Sequence, residues 1–297
     1  MTRQERRHMR NGLLFASPFL FGFGAFFLYP LVASVYYSFC HYNVIQPPMW
    51  IGLENFRELF TRDAVFWKSL YNTLYYTVFS VPLGLAVSIG LALLLNQKVR
   101  GMAAYRTVFF LPTIVPMVAS AVLWLWVLNP ESGLLNETLR QFLRVDGPGW
   151  LADEHWAKPS LILMSLWATG GAMVIFLAGL ADVPASLYEV AAIDGAGRWA
   201  KFRNITLPML TPTILFNLVM GLIGAFQYFT QVYVMTGGKG GPVDSTMFYA
   251  LYLYRNSFHY LRMGYASAMA WMLFLLILAA TVAVLVSSRR WVYYHGD

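Results

Sequence analysis

The chain has 297 residues, 58% of them hydrophobic and only 12% charged, with a mean hydropathy of +0.54. A water-soluble domain carries about 25% charged residues, so the charges here are too few to clothe a soluble surface, and the surrounding solvent must be lipid. The net charge of +7 would suit nucleic acid or an anionic membrane, and its distribution along the chain decides between them.

Six long apolar windows follow in order: Asn11 to about Cys40, Ser69–Gln97, Thr107–Pro130, Pro159–Ala181, Asn204–Gly238 and Met263–Ser288. Each holds at least the ~20 residues that cross a ~30 Å hydrocarbon core at ~1.5 Å per residue. Helices are expected, because a spanning segment must satisfy its own backbone N–H and C=O groups. The fold class is therefore all-α, a polytopic membrane protein with six transmembrane helices. Arg3, Arg6, Arg7 and Arg10 precede the first window as they would in a signal peptide. The apolar run is far longer than an h-region of roughly 7–15 residues, and it contains Pro18 and Pro30, so a retained first span is expected. The apolar stretch Thr246–Tyr254 is too short to cross and reads as a re-entrant or interfacial helix.

An even number of spans puts both termini on one side, together with the loops around Lys98–Arg106 and Asp182–Arg203. That side carries twelve basic and five acidic residues, and the other carries nine of each. By the positive-inside rule the basic side is cytoplasmic. The expected boundaries are a cytoplasmic arm over 1–12, a transmembrane domain over 13–288 with a cytoplasmic loop at 182–207, and a cytoplasmic tail over 289–297. The charge excess is thus topological and gives no support for nucleic-acid binding. A multi-pass protein of the cell (cytoplasmic) membrane is expected.

The single cysteine, Cys40, excludes an internal disulfide and reads as a buried, inert thiol. His8, His41, His155, His259 and His295 are scattered without metal-ligand spacing, so neither metal nor cofactor is expected in the chain. The sequon Asn136-Glu137-Thr138 reads as a chance match. Trp50, Trp150 and Trp156, in the external loops 41–68 and 131–158, read as residues of the interfacial aromatic belt. No window holds Asp, Glu, Lys, Arg or His away from the membrane edges, which leaves an intramembrane enzyme without a nucleophile–base pair or metal ligands.

The segment from Leu180 to Pro208 has explicit helix grammar. Asp182 is suited to cap a helix whose first turn holds Pro184, where a missing N–H costs nothing. The helix should run through Leu187, Tyr188 and Ala191 and stop near Gly195 in a left-handed conformation. A second short helix with Trp199 and Phe202 should follow, and Pro208 and Pro212 sit near the start of the fifth span. A short helix with small residues (Ala191, Ala192, Ala196) beside a carboxylate suits a protein groove. A helix lying on the lipid interface would satisfy the same pattern.

The run Glu189-Val-Ala-Ala-Ile-Asp-Gly-Ala196, followed by Phe202, Ile205, Leu207-Pro208 and Pro212, resembles the EAA loop of bacterial binding-protein-dependent ABC importers. Phe176-Leu-Ala-Gly-Leu180 and Pro184 with Tyr188-Glu189 resemble the version found in carbohydrate permeases. Gln231-Val-Tyr-Val-Met-Thr-Gly-Gly238, Gly241-Pro242 and Gly264-Tyr-Ala-Ser-Ala268 resemble the first permease of the maltose or glycerol-3-phosphate importer type. Val190 departs from the usual second alanine, and Lys239-Gly240 lengthens the glycine run. The resemblance implies the type I ABC importer transmembrane-domain fold. It also implies that Tyr188, Glu189, Ala191, Ala192, Asp194, Gly195, Ala196 and Phe202 belong to a coupling helix and its flanks, docked in a cleft of a separate ATPase. The implied partners are a second permease, two copies of the ATPase subunit and an extracytoplasmic sugar-binding protein, with ATP and Mg held by the ATPase. Gly237-Gly-Lys-Gly-Gly241 lacks phosphate-loop spacing and follows no predicted strand, so it reads as a flexible turn and gives this chain no ATP site.

Polar groups within a span tend to face a bundle interior or a wet cavity. In the fifth span Asn217, Gly224, Gln227 and Gln231 share a helical face, with Gly221 and Tyr228 at its flank. Asn217, Gly224, Gln227, Tyr228 and Gln231 are therefore the candidate substrate path, suited to a sugar that needs hydroxyl partners and an aromatic plane. Interhelical hydrogen bonds, worth ~0.6 kcal/mol each, are the competing reading. Asn72, Ser165 and Thr169 read as packing residues. The windows contain no Lys or Arg, which favours a neutral sugar or oligosaccharide over an anion such as glycerol 3-phosphate, although a partner permease could supply charge.

Overall fold

The computed structural model describes residues 2–97 and 99–293. Met1, Lys98 of the basic loop and tail residues 294–297, including His295, lie outside the described residues. The chain divides into two units, Met1–Asp63 with Leu253–Met272, and Ala64–Tyr252 with Leu273–Asp297.

In the first unit one helical run, Gln4–Ser38, is long and apolar enough to cross a bilayer. Helix begins already at Arg3, so most of the arm expected over 1–12 is a helical extension of the span. A capping box fixes this start: Glu5 N donates to Thr2 Oγ1 at 3.3 Å, and Thr2 N donates to Glu5 Oε2 at 2.7 Å. After the helix, Cys40–His41 pairs antiparallel with Met49–Trp50. Asn55 Nδ2 locks the corner by donating to the Ser38 and Cys40 carbonyls, both at 2.9 Å. Cys40 is fully buried. Trp50 does more than mark an interface, since its ring stacks on Phe39 at 5.4 Å. Arg262 closes the unit through Glu58 at 2.6 Å, and Tyr265 donates to Asp63.

The second unit contains the helix Ala64–Leu95, the helix Thr211–Met235 and two bent helix pairs. The window Thr107–Pro130, expected as one span, is Met102–Ile114 and Met117–Val127 meeting at 99°. Pro112 and Pro116 lack the N–H groups a helix needs, and Pro116 holds Val115 extended at ψ 127°. The window Pro159–Ala181 is likewise a pair, Ala157–Trp167 and Gly170–Ala181, bent by 48°. Gly170 permits this arrangement, because a Cβ there would overlap the carbonyl of Phe109. The fifth window starts later than the expected Asn204: residues 202–206 form a π turn, and the long helix begins at Thr211 with Pro212 in its first turn.

Two further expectations change. Trp150 is no belt residue: it is 8% exposed, and its Nε1 donates to Asn136 Oδ1 at 2.7 Å. The stretch from Thr246 is not interfacial, because Met247, Phe248, Tyr249 and Leu251 are at most 1% exposed. Asn72 Nδ2 donates to the Asp244 and Met247 carbonyls at 2.8 and 3.0 Å, and Tyr249 N donates to Thr73 Oγ1 at 2.9 Å. These bonds satisfy backbone groups that would otherwise be buried without partners, which is what non-spanning backbone inside a membrane protein requires.

The Ala64–Leu95 helix buries Ser69, Asn72, Thr73, Tyr76, Thr77 and Ser80. Their spacing follows a helical period, so one polar stripe of an apolar helix is turned inward. This stripe and the fifth helix frame the site described next.

Candidate coupling loop and transport cavity

The loop helix spans Ala185–Ile193. Pro184 holds the N-cap position and Asp182 instead ends the preceding helix, so the expected Asp182 cap does not form. Pro184 already supplies an extended backbone at ψ 128°, which starts the helix without a side-chain cap. The other end follows the expected turn chemistry. Gly195 has φ +73°, Ala196 N donates to Ala191 O at 2.8 Å, and Gly195 N donates to Ala192 O at 3.1 Å. These are the two bonds of a Schellman motif. The chain then forms Arg198–Lys201 and the π turn Phe202–Thr206, with Trp199 against Phe202 at 5.4 Å.

Glu189, Ala192, Asp194 and Gly195 are exposed on this hairpin, whereas Tyr188, Ala191, Ala196 and Phe202 are half-buried. The Tyr188 hydroxyl hydrogen-bonds Thr206 Oγ1 at 2.9 Å and ties the two arms together. Sequence reasoning left out Val190 and Ile193, which are 58% and 86% exposed on the same loop as the exposed Trp199. Their signal was available as apolar residues three apart in a segment too short to bury them.

A cavity of about 430 Å³ lies among the second helix, both bent pairs and the fifth helix. Asn217, Gly224, Tyr228 and Gln231 line it, as the helical face predicts, but Gln227 does not. The fifth helix breaks between Phe226 and Thr230, where Gln227 has φ −97°, ψ 16° and Phe229 has φ −134°, ψ −61°. That break shifts the helical phase and leaves Gln227 exposed. The second helix contributes Tyr76, Ser80 and Ser88, none of them singled out from sequence. Ser165 and Thr169, read as packing residues, also face the cavity, whereas Asn72 packs as expected.

The aromatic plane is built from two helices. Tyr76 and Tyr228 stack at 4.3 Å and 20°, and Phe248 meets them edge-on at 5.5 and 5.7 Å. Among the described residues the buried Tyr228 Oη makes no hydrogen bond of normal geometry, which leaves its hydroxyl able to donate or accept beside the Tyr76 ring. Other lining hydroxyls donate to their own helix backbone: Ser88 to Gly84 O at 2.7 Å, Ser165 to Ile162 O at 2.7 Å and Thr169 to Leu166 O at 2.9 Å. Asn217 Nδ2 does the same toward Thr213 O at 2.9 Å. Each spends a donor and keeps acceptor capacity. The lining residues include no Asp, Glu, Lys, Arg or His. The wall can therefore grip hydroxyl groups and an apolar ring face, and it supplies no fixed charge.

The turn at Gly237–Gly241 follows the end of the fifth helix. Gly237, Gly238 and Gly240 all have positive φ, and Gly238 lies against the Tyr233 ring.

The sequence pattern of the binding-protein-dependent transport system inner membrane component family matches residues 80–293. The probable ABC transporter permease protein YesP of Bacillus subtilis is 43% identical, over 99% of this chain and 96% of that protein. The lactose transport system permease protein LacF of Rhizobium radiobacter is 35% identical, over 92% of each chain. Among solved structures, a bacterial ABC transporter that imports the acidic polysaccharide alginate has a chain with TM-score 0.83 and 27% identity, covering 97% of this chain and 99% of that one. The fold is that of type I ABC importer permeases, all-α and polytopic. This chain belongs to the family of binding-protein-dependent transport system inner membrane components, as a multi-pass permease of the sugar ABC importers.

Proposed function

We propose that the chain forms, with a second permease, the translocation path for a sugar or short oligosaccharide, and that loop 182–207 couples this path to two copies of a separate ATPase. The observation that carries the reading is the cavity, lined without charged side chains and holding the stacked Tyr76–Tyr228 pair. An aromatic plane beside hydroxyl-matching groups suits a pyranose ring, and a cavity near 430 Å³ is within the usual size range for small-molecule sites. The relatives' names support it: one is a lactose permease and another belongs to a trehalose/maltose system. Both termini and the loop face the cytoplasm in this reading, and an extracytoplasmic binding protein delivers the sugar. The alginate importer was crystallised with its periplasmic binding protein. ATP and Mg are held by the ATPase subunits, whose closure would rock the spans between inward- and outward-facing states.

A sugar acid or phosphate would find no counter-ion in this chain's cavity, so the partner permease would have to supply one. The test is ATP-dependent uptake in liposomes. The full assembly should accumulate a labelled sugar and the chain alone should not. Uptake by the chain alone would remove the partner requirement.

A further inference from the structure

The two helical arms of loop 182–207 meet at a close approach. Gly179, on the helix Gly170–Ala181 that enters the loop, lies against the start of the helix Thr211–Phe226 that leaves it. A Cβ at Gly179 would stand 2.7 Å from Thr213 Oγ1 and 3.1 Å from Leu210 Cδ2, so a larger residue would wedge the arms or displace Thr213. Glycine is a poorer helix former than alanine, and no turn or positive φ calls for it here. What it supplies is near contact between backbones, the use small residues have where helices pack in membranes.

The place of this contact along the arms gives it a role. At ~1.5 Å per residue, the cavity-lining Ala172 lies ~10 Å beyond Gly179 on one arm, and Asn217 lies ~6 Å beyond Thr213 on the other. Asn217 Nδ2 donates to Thr213 O at 2.9 Å, which bonds the cavity wall to the turn that carries the contact. Beside it Ala92, Leu95, Met173, Phe176, Leu180 and Leu210 form a buried apolar cluster. All of these residues belong to one unit of the chain. Close-packed interiors shift between discrete arrangements and resist gradual deformation. Helices held in this way turn about their contact when one end is displaced.

We propose that the Gly179–Thr213 contact is the fulcrum through which displacement of loop 182–207 reaches the cavity, with Gly179 as a positioning residue. This role rests on the reading that the loop couples the path to an ATPase. With glycine in place the arms turn against each other as levers. A side chain there would hold them apart and let the loop move without the cavity.

The test uses the complete importer in liposomes, with Cys40→Ser and Gly224→Cys in this chain as the parent. Gly224 lines the cavity, and its Cβ would meet nothing within 4 Å. Modification of Gly224→Cys by a water-soluble methanethiosulfonate reagent is timed with and without ATP and vanadate, and read by mass spectrometry of the chain. In the parent, trapping nucleotide should change the rate. Adding Gly179→Ala should cut that change about fivefold, within the effect of residues lying between coupled sites, with the ATPase subunits retained. Thr213→Ala, which removes the Oγ1 that the new Cβ meets, should restore the response. Thr213→Val, which puts a methyl group in its place, should not.

An unchanged response in Gly179→Ala would overturn the proposal, as would equal recovery with Thr213→Ala and Thr213→Val. Loss of the ATPase from Gly179→Ala would mark a packing role only and overturn it too. Gly195→Asp is measured in parallel. Loss of its response while Gly179→Ala keeps the parent's would remove the fulcrum and leave the coupling loop standing. A parent-like response with full ATPase retention in Gly195→Asp would remove the coupling loop itself, and the fulcrum with it.

Discussion

Loop 182–207 and the cavity are held together in opposite ways. The loop closes on itself: the Schellman bonds at Ala191, Ala192, Gly195 and Ala196 and the Tyr188–Thr206 bond all lie within it. The cavity has no local integrity, because Tyr76, Ser165, Asn217 and Tyr228 come from three separate helical segments brought together by packing. A locally closed hairpin can be pushed as one body. A cavity made between helices changes shape whenever those helices move. The difference suits an importer in which force enters at the loop and is read out at the cavity, and it assigns distinct failures to the two regions.

Substitutions that break the contrast can be ranked. Gly195→Asp should have the largest effect, with uptake below about a tenth of wild type. It places a side chain at φ +73°, where such strain costs ~1–2 kcal/mol, and adds charge to the exposed face proposed to dock on the ATPase. Gly195→Ala separates the two causes: its Cβ would meet nothing within 4 Å, so only the backbone cost of ~1–2 kcal/mol remains. Uptake by that variant should fall severalfold while the ATPase stays bound. Next comes the cavity, where Tyr228→Phe and Gln231→Ala should raise the sugar concentration needed for half-maximal uptake about tenfold, with basal ATP hydrolysis intact. Tyr188→Phe removes one hydrogen bond worth ~1 kcal/mol and should lower uptake per ATP two- to threefold without loss of subunits. Gln227→Ala should have the smallest effect, near wild type, because that side chain points away from the cavity; a defect equal to that of Gln231→Ala would place it back on the path.

What could be read in advance follows the same division. Gly195 announced its turn because a left-handed residue after a short helix is a local requirement, met by glycine alone at no cost. The six apolar runs announced themselves by length. Gln227 misled because the fifth helix breaks at 227–229 without proline or glycine, so an unbroken helical period was the only available guide. The bend in the third window was written in Pro112 and Pro116, but the apolar run around them masked it. Tyr76 and Ser80 were legible in principle, as part of the period-following polar stripe on the second helix. Trp150 was not, since its partner Asn136 sits in the short helix Leu134–Thr138 and only the fold brings them to 2.7 Å.

The central claim is that loop 182–207 docks into a partner ATPase rather than lying on lipid. It is tested most directly by cross-linking from Ala192→Cys in a Cys40→Ser background, within native membranes. Ala192 is exposed on the loop helix, three residues before Gly195. The account predicts a covalent adduct with the ATPase subunit, lost when Gly195→Asp is added. Labelling of Ala192→Cys by a membrane-dissolved probe, with no ATPase adduct and wild-type uptake in Gly195→Asp, would contradict it.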